Sequence, residues 1–242
     1  MTPDIQIVVV CSHRGGAWKS SVSAGLALEL ARGGIAVVIV DPAKAGGLST
    51  FDSPDFRGLS TDHGKGRSHD RYPLSVVHLP EVLSSERPGP ELRSLAMELG
   101  AAVVIVDLPT AASAELASLL RDTHVAIATV PVDVVSFRAL PPFLELLKEQ
   151  RTMPGRSFAV RAAIVGAEEQ SPRMKELGRV IGEHLQPILL RACLPVDEEY
   201  GALIASGSFP PVQDPGTPMA LALEQLEGEV RSILSLHAPV PA

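Results

Sequence analysis

Lys19 and the two hydroxyl residues after it, Ser20 and Ser21, follow a short turn containing glycines, Ser12-His13-Arg14-Gly15-Gly16-Ala17-Trp18. Before the turn, Ile5 to Cys11 is apolar except for Gln6, and after it a helical pattern begins at Ser20. Strand, glycine loop, lysine, hydroxyl and helix, in that order, form a layout that binds phosphate. Glycines let backbone N–H groups turn inward around an anion, and the helix that follows aims its positive end at the same place. In such a loop Lys19 reaches the β- and γ-phosphates and the Ser20 hydroxyl holds Mg²⁺. The competing reading is an ordinary strand-to-helix turn with a chance lysine.

Two carboxylates end other apolar runs. Asp107 follows Val103-Val104-Ile105-Val106, and Asp41 follows Ile35 to Val40 and precedes Pro42. At the end of a buried strand beside a phosphate loop, Asp107 is placed to hold Mg²⁺, directly or through water. Asp107 could instead cap the helix expected after Pro109, and Asp-Pro is also a common turn pair.

These residues need a scaffold that brings them together. Apolar runs at Ile5–Cys11, Ile35–Val40, Leu74–Leu79, Ala101–Val106, His124–Val130, Phe158–Val165 and Pro187–Cys193 have the length and content of buried strands. Helical patterns at 20–32, 88–99, 112–121, 136–149, 171–184, 197–206 and 218–236 separate or follow them. Gly33-Gly34 stops the first helix, and Ser171 with Pro172 starts the fifth. Alternation over the whole length predicts an α/β fold, a doubly wound, mainly parallel sheet with helices on both faces, in one domain spanning 1–242. Ligands of such sheets sit at the carboxyl ends of the strands, the rim where the phosphate loop, Asp41 and Asp107 all fall. Two segments stand outside the pattern: 43–72, rich in Gly, Ser, Asp, His and Arg, reads as an irregular functional segment, and 237–242 as a frayed tail.

Composition narrows the function classes. A net charge of −7 argues against a protein that coats nucleic acid generally, while leaving room for a local basic patch. The two cysteines, Cys11 and Cys193, have no metal-ligand spacing and fit a reduced, cytoplasmic protein. No apolar run approaches the ~18 residues of a membrane helix.

The loop departs from the strict G-x-x-x-x-G-K-[ST] pattern, with His13 and Trp18 at its glycine positions. Arg14-Gly15-Gly16-Ala17-Trp18-Lys19-Ser20 instead resembles K-G-G-x-G-K-[ST], the deviant Walker A loop of the ParA/MinD family of P-loop ATPases, a SIMIBI-like group. Ile39-Val40-Asp41-Pro42-Ala43 resembles that family's D-x-D-P-Q segment, without its first Asp and its Gln. The segment His124 to Leu140 and the segment Leu194-Pro195-Val196-Asp197 to Gly207 are similar to further parts of it, the latter to the stretch lining the adenine.

The resemblance implies ATP and Mg²⁺ as cofactors, with Arg14, Gly15, Gly16, Ala17, Trp18, Lys19, Ser20, Ser21 and Pro195 binding nucleotide. Ser20, Asp41 and Asp107 would hold the metal, and Arg14, Lys19 and Asp41 would act in hydrolysis. It implies a homodimer when ATP is bound, with Arg14 in place of the signature lysine that reaches the partner's phosphates. It also implies non-specific DNA, a ParB-like or cargo-adaptor activator, no stable membrane insertion, and a cytoplasmic or nucleoid-associated protein that positions plasmid, chromosome or other cargo. Candidate DNA contacts are Arg151, Arg156, Arg161, Arg173, Lys175 and Arg179, a scattered set that also fits a solvated surface.

Trp18 is the main departure. If its position needs a left-handed backbone, the residue costs roughly 1–3 kcal/mol there, and its indole could cover or block the phosphates. Trp18, Ile39 and Ala43 therefore support a rival reading, a scaffold that binds nucleotide poorly and acts through a partner. A membrane switch would need a basic amphipathic tail, whereas 219–236 carries Glu224, Glu227 and Glu229 against Arg231 and reads as a core-packed helix.

Overall fold

A computed structural model describes residues 4–44, 48, 55–110, 113–166, 171–205, 214 and 216–236. In chain order it contains β1 (Gln6–Cys11), α1 (Lys19–Arg32), β2 (Val37–Asp41), β3 (Phe56–Ser60), β4 (Lys65–His69), β5 (Leu74–His78), a 3₁₀ turn at Pro80–Leu83 and α2 (Pro88–Leu99). Then come β6 (Val103–Asp107), α3 (Ser113–Leu119), β7 (Val125–Pro131), α4 (Val134–Thr152), β8 (Ala159–Val165), α5 (Pro172–Leu185), β9 (Leu189–Leu194), α6 (Glu198–Ala205) and α7 (Pro218–Ile233). Among the described residues the strands form one sheet in the order β3-β4-β5-β2-β6-β1-β7-β8-β9, parallel except where β4 pairs with β3 and β5. This is the doubly wound α/β fold that the alternation of the sequence predicts.

Burial follows from composition. Every residue of β1, β2, β6 and β7 is buried, as expected where crossover helices cover both faces of a parallel sheet. One face packs its aliphatic side chains against α1 and α7, with Val8, Ile39 and Ile105 meeting Leu26, Leu30, Leu223 and Leu226. The other packs Val9, Val40 and Val106 against Leu92 and Leu95 of α2, Leu116 and Leu119 around α3, and Phe143 and Leu147 of α4. A smaller cluster joins β8 to α5 through Ile164, Ile181 and Leu185. Helix α7 is a core element, as its acidic outer face suggests: Met219, Leu223, Leu226 and Val230 are buried. No helix among the described residues is long and apolar enough to cross a membrane.

The structure corrects one expectation. Part of the segment 43–72 is an antiparallel hairpin of β3 and β4, which extends the sheet beyond β5. Its outer strand has little alternation, because only Phe56 is buried in it. The pairing rests on backbone bonds and on a tip docked to α2. There His63 Nε2 lies 3.1 Å from the Ser94 hydroxyl, and the Asp62 N–H donates to the Glu98 carboxylate. Residues 45–47 and 49–54 of that segment, and the tail 237–242, lie outside the described residues. The Gly33-Gly34 pair ends α1 as expected, with Gly34 rather than Gly33 (φ −74°) taking the left-handed φ of +80°.

One histidine makes the sheet sensitive to acid. His124, just before β7, accepts the Ile7 N–H at Nδ1 (2.9 Å), a role that only the neutral ring can play. Burial, and then the nearby Arg93 cation, hold its pKa below the usual 6.5. The unfolded chain therefore takes up a proton before the folded one does, and this contribution to stability is present above about 6.5 and lost as pH falls below it. Denaturant titrations from pH 7.5 to 5.5 should show stability declining with acid. His124→Asn, whose Oδ1 can accept the same N–H, should reduce that slope; an unchanged slope would remove His124 from the account.

Candidate functional site

Three strand ends meet at one rim of the sheet. In the sheet, β6 lies between β1 and β2, with Val10 in register with Asp107 and Val40 with Val106. Asp41, the residue after Val40, is thus carried beside Asp107, one residue beyond Val106. The turn after β1 enters α1 at Lys19, so the turn, Asp107 and Asp41 share one edge.

The loop between β1 and α1 contains one left-handed glycine. Gly16 is left-handed (φ +66°), a conformation open to glycine, while Gly15 is not forced by space, since a Cβ there would rest in ordinary contact with Thr110. Trp18 is also left-handed (φ +61°, ψ 17°) and stands at the N-cap of α1 without a side-chain cap. The condition attached to Trp18 by the sequence is met, and the position carries the strain expected of a bulky residue in this region. Its half-buried indole packs against the hydrophobic cluster of the α1/α7 face, which sets contact energy against that strain.

Lys19 is 8% exposed and donates through Nζ to the Arg14 carbonyl (3.2 Å), closing the loop on itself. Burial lowers its pKa, partly opposed by the Asp107 carboxylate. Ser20 Oγ donates to Asp107 Oδ2 (2.6 Å), and Ser23 Oγ to Asp107 Oδ1 (3.1 Å). Both oxygens of Asp107 therefore accept from hydroxyls near the start of α1. Ser23 was not singled out by the sequence, although its spacing of three from Ser20 puts both hydroxyls on one helix face. Ser21, in contrast, is buried, and its carbonyl accepts from the Tyr200 hydroxyl (3.3 Å), a contact that seats α6 on α1.

Burial pushes Asp107 up to about 6, and the neighbouring Asp41 carboxylate adds to the rise, against the lowering by Ser20, Ser23 and Lys19. Asp41 is 1% exposed, and its Oδ1 accepts the Ala43 N–H (3.1 Å), while the His78 Nε2–H donates to the Ala43 carbonyl (2.8 Å). Two buried carboxylates beside a hydroxyl are hard oxygen donors that a divalent cation would stabilise. No group of three or more His, Cys, Asp or Glu able to hold a metal occurs among the described residues. Mg²⁺ is commonly held by one or two carboxylates, with water and phosphate oxygens completing its shell. Cys11, at the end of β1, is a buried thiol pushed up to about 12 and is inert at neutral pH.

Arg14 turns toward the start of α4. Its Nε donates to the Ser136 hydroxyl (3.2 Å), and its Nη2 pairs with Asp133 Oδ2. Asp133 is the N-cap of α4 and accepts the Ser136 N–H (2.8 Å). Burial would raise the Asp133 pKa, but the Ser136 N–H and hydroxyl and the Arg14 cation outweigh it and hold the carboxyl below its usual range. Sequence reasoning missed Asp133; the signal was its place three residues before Ser136, the spacing of an N-cap acceptor. His13, beside Arg14, has both ring nitrogens shielded without a hydrogen-bond partner among the described residues, and burial lowers its pKa.

The remaining candidates lie apart. Pro195 is buried just past the carboxyl end of β9, three strands from β1. The end of the adenine-like segment, 206–207, is outside the described residues. Of the cations considered for DNA, Arg179 is paired with Glu176 and Glu183, Arg156 with the Gln150 side-chain carbonyl, and Arg161 with the Val160 carbonyl.

No protein-family model matches the sequence, and no curated protein matches it. Solved structures do share its architecture. The septum site-determining protein MinD of Pyrococcus horikoshii, complexed with Mg-ADP, superposes with a TM-score of 0.68 at 16% identity, over 98% of this chain and 100% of that one. A Cyanothece McdA variant complexed with ATP gives 0.67 at 14% identity, over 98% and 99%. Cobyrinic acid a,c-diamide synthase of Mycobacterium smegmatis, with ADP and magnesium, gives 0.61 at 16%, over 98% and 99%. Agreement over nearly the full length of each chain, at these low identities, means that this chain shares the fold of those proteins.

Proposed function

We propose that the chain is a ParA-like ATPase that binds and slowly hydrolyses Mg-ATP and positions a cargo through an ATP-dependent homodimer. The observation that carries this reading is the convergence of Lys19, Ser20, Asp41 and Asp107, from three separate strand ends, on one rim. Neighbouring structures support the ligand, since they hold ATP, or ADP with magnesium, on this fold.

In this reading the turn from Gly15 to Ala17 presents backbone N–H groups to the phosphates, and Lys19 leaves the Arg14 carbonyl to neutralise them. Ser20, Asp107 and Asp41 hold Mg²⁺, which when bound supplies charge neutralisation at the phosphate oxygens. Asp41 orients the attacking water. Arg14 serves the partner's phosphates only after releasing Asp133, so the cis ion pair opposes dimer formation. Both members are about a third exposed, and such a pair is worth roughly 1 kcal/mol or less.

Trp18 offers the readout, because it is the chain's single tryptophan and lies inside the loop. Mg-ATP should change its fluorescence saturably, with matching heat in calorimetry. Arg14→Ala should keep that binding and lose the ATP-dependent dimer in sedimentation velocity. Asp133→Ala should lower the ATP needed for half-maximal dimer by a few-fold, while costing about 1 kcal/mol of stability through the lost cap. A dimer that persists in Arg14→Ala would refute the role given to that residue.

A second reading is favoured by the left-handed Trp18: a scaffold with little affinity for nucleotide. Absence of heat and of fluorescence change with Mg-ATP would select it. DNA binding belongs to the first reading alone. Retention on DNA that needs ATP and weakens with salt supports it, and retention without ATP counts against it.

A further inference from the structure

Away from the phosphate rim, at the amino end of β8, α4 and α5 do not close on each other. A cavity of about 230 Å³ remains, lined by Leu144, Leu147, Lys148 and Arg151 of α4, Val160 of β8, and His184, Pro187 and Ile188 at the end of α5 and the turn after it. It lies on a seam in the core. Leu147 and Val160 belong to the cluster of the α2–α4 face, Leu144 packs with the β8–α5 cluster, and Ile188 touches both. Two clusters that meet at one isoleucine leave an apolar floor without a side chain to fill it.

The rim of the cavity is cationic in a chain whose net charge is −7. Arg151 makes no hydrogen bond or ion pair among the described residues. Lys148 has only a surface pairing with Glu145 (3.5 Å, both side chains more than half exposed), which a stronger anion can displace. His184 also lines the space; its Nδ1–H donates to the Val180 carbonyl (2.8 Å), and the ring stands edge-on to Phe137. No acidic residue lines the space.

We propose that this cavity binds a small amphipathic carboxylate, its apolar body on Leu144, Leu147, Val160 and Ile188 and its charged end on Arg151 and Lys148. The volume is below that of drug-sized sites, which limits the body to a single ring or a chain of roughly six to eight carbons. A guanidinium takes a carboxylate through two parallel hydrogen bonds, a geometry that a free Arg151 can offer and a neutral alcohol cannot use. A bare phosphate would meet the rim and leave the floor empty, so the apolar tail is part of the recognition.

Octanoate is the probe, with 1-octanol and inorganic phosphate as comparisons, in calorimetry and ligand-observed NMR on the full chain. Octanoate should bind saturably at one site per chain, at least roughly tenfold more tightly than octanol or phosphate. Arg151→Gln should weaken octanoate roughly tenfold and leave octanol unchanged. Leu144→Trp, which fills the floor, should remove binding of both. Thermal unfolding of each variant shows that it is folded. Octanol binding as tightly as octanoate, an Arg151→Gln variant with undiminished affinity, or no saturable binding by the parent chain would each overturn the proposal. The test does not involve the nucleotide site, so it stands or falls apart from the ATPase reading.

Discussion

Lys19→Ala is expected to weaken Mg-ATP binding by roughly ten- to a hundredfold, the loss of a charged hydrogen-bond donor worth about 1.5–3 kcal/mol. The ammonium is held at the mouth of α1 with 8% exposure and has one acceptor among the described residues, the Arg14 carbonyl at 3.2 Å. Burial already disfavours its charge and lowers its pKa, so a phosphate meets a cation short of partners. The measurement is a titration of Trp18 fluorescence checked by calorimetry. The Arg14 carbonyl is on a half-exposed loop residue and can turn to water, so the unfolding temperature should fall by only a few degrees. An unchanged affinity in a folded variant would mean that nucleotide, if bound at all, is held elsewhere.

The parts of this site differ in how far the sequence discloses them. Asp41 and Asp107 each close a five-residue strand of wholly buried residues, and apolar runs that end in an acid are visible by inspection. Parallel alternation then puts both on the rim without further information. Arg14 and Asp133 are 119 positions apart, and their pairing depends on β7 lying beside β1, which no local pattern encodes. The hairpin of β3 and β4 is hidden for another reason. Strands are recognised by alternating burial, and beyond Phe56 this outer ribbon buries little, so Gly, Ser and charged residues serve as well as Val. Trp18 is an intermediate case. Its place in the loop raises the left-handed backbone as a condition, and only the fold reveals that the condition is met and that the indole is accommodated against the α1/α7 cluster.

The second large effect has opposite signs in two measurements. Asp107→Asn should stabilise the nucleotide-free protein at pH 7 and destroy its response to Mg-ATP. Burial and the Asp41 carboxylate raise the folded-state pKa of Asp107 from 3.8 to about 6. For an acid whose pKa rises on folding, the protonated form is the one the fold prefers. Its contribution is fully present below the unfolded value and is lost as pH climbs through about 6. At pH 7 the ionised carboxyl therefore costs on the order of 3 kcal/mol, at 1.36 kcal/mol for each unit of the rise.

Asparagine removes the charge and keeps the hydrogen bonds, because its carbonyl can accept from one of Ser20 and Ser23 while the other hydroxyl turns to accept its amide. Differential scanning calorimetry at pH 7 should show the variant melting roughly 6–12 °C higher, a difference that fades as the pH is brought toward 4. With Mg-ATP present the order reverses: the parent rises by ligand linkage and the variant does not. A variant less stable than the parent at pH 7 would show that the carboxylate is neutralised within the fold. A variant that kept its Mg²⁺-dependent rise would show that the metal is held without Asp107. Either result would separate the two carboxylates from the phosphate loop, and with them the reason for placing a triphosphate on this rim.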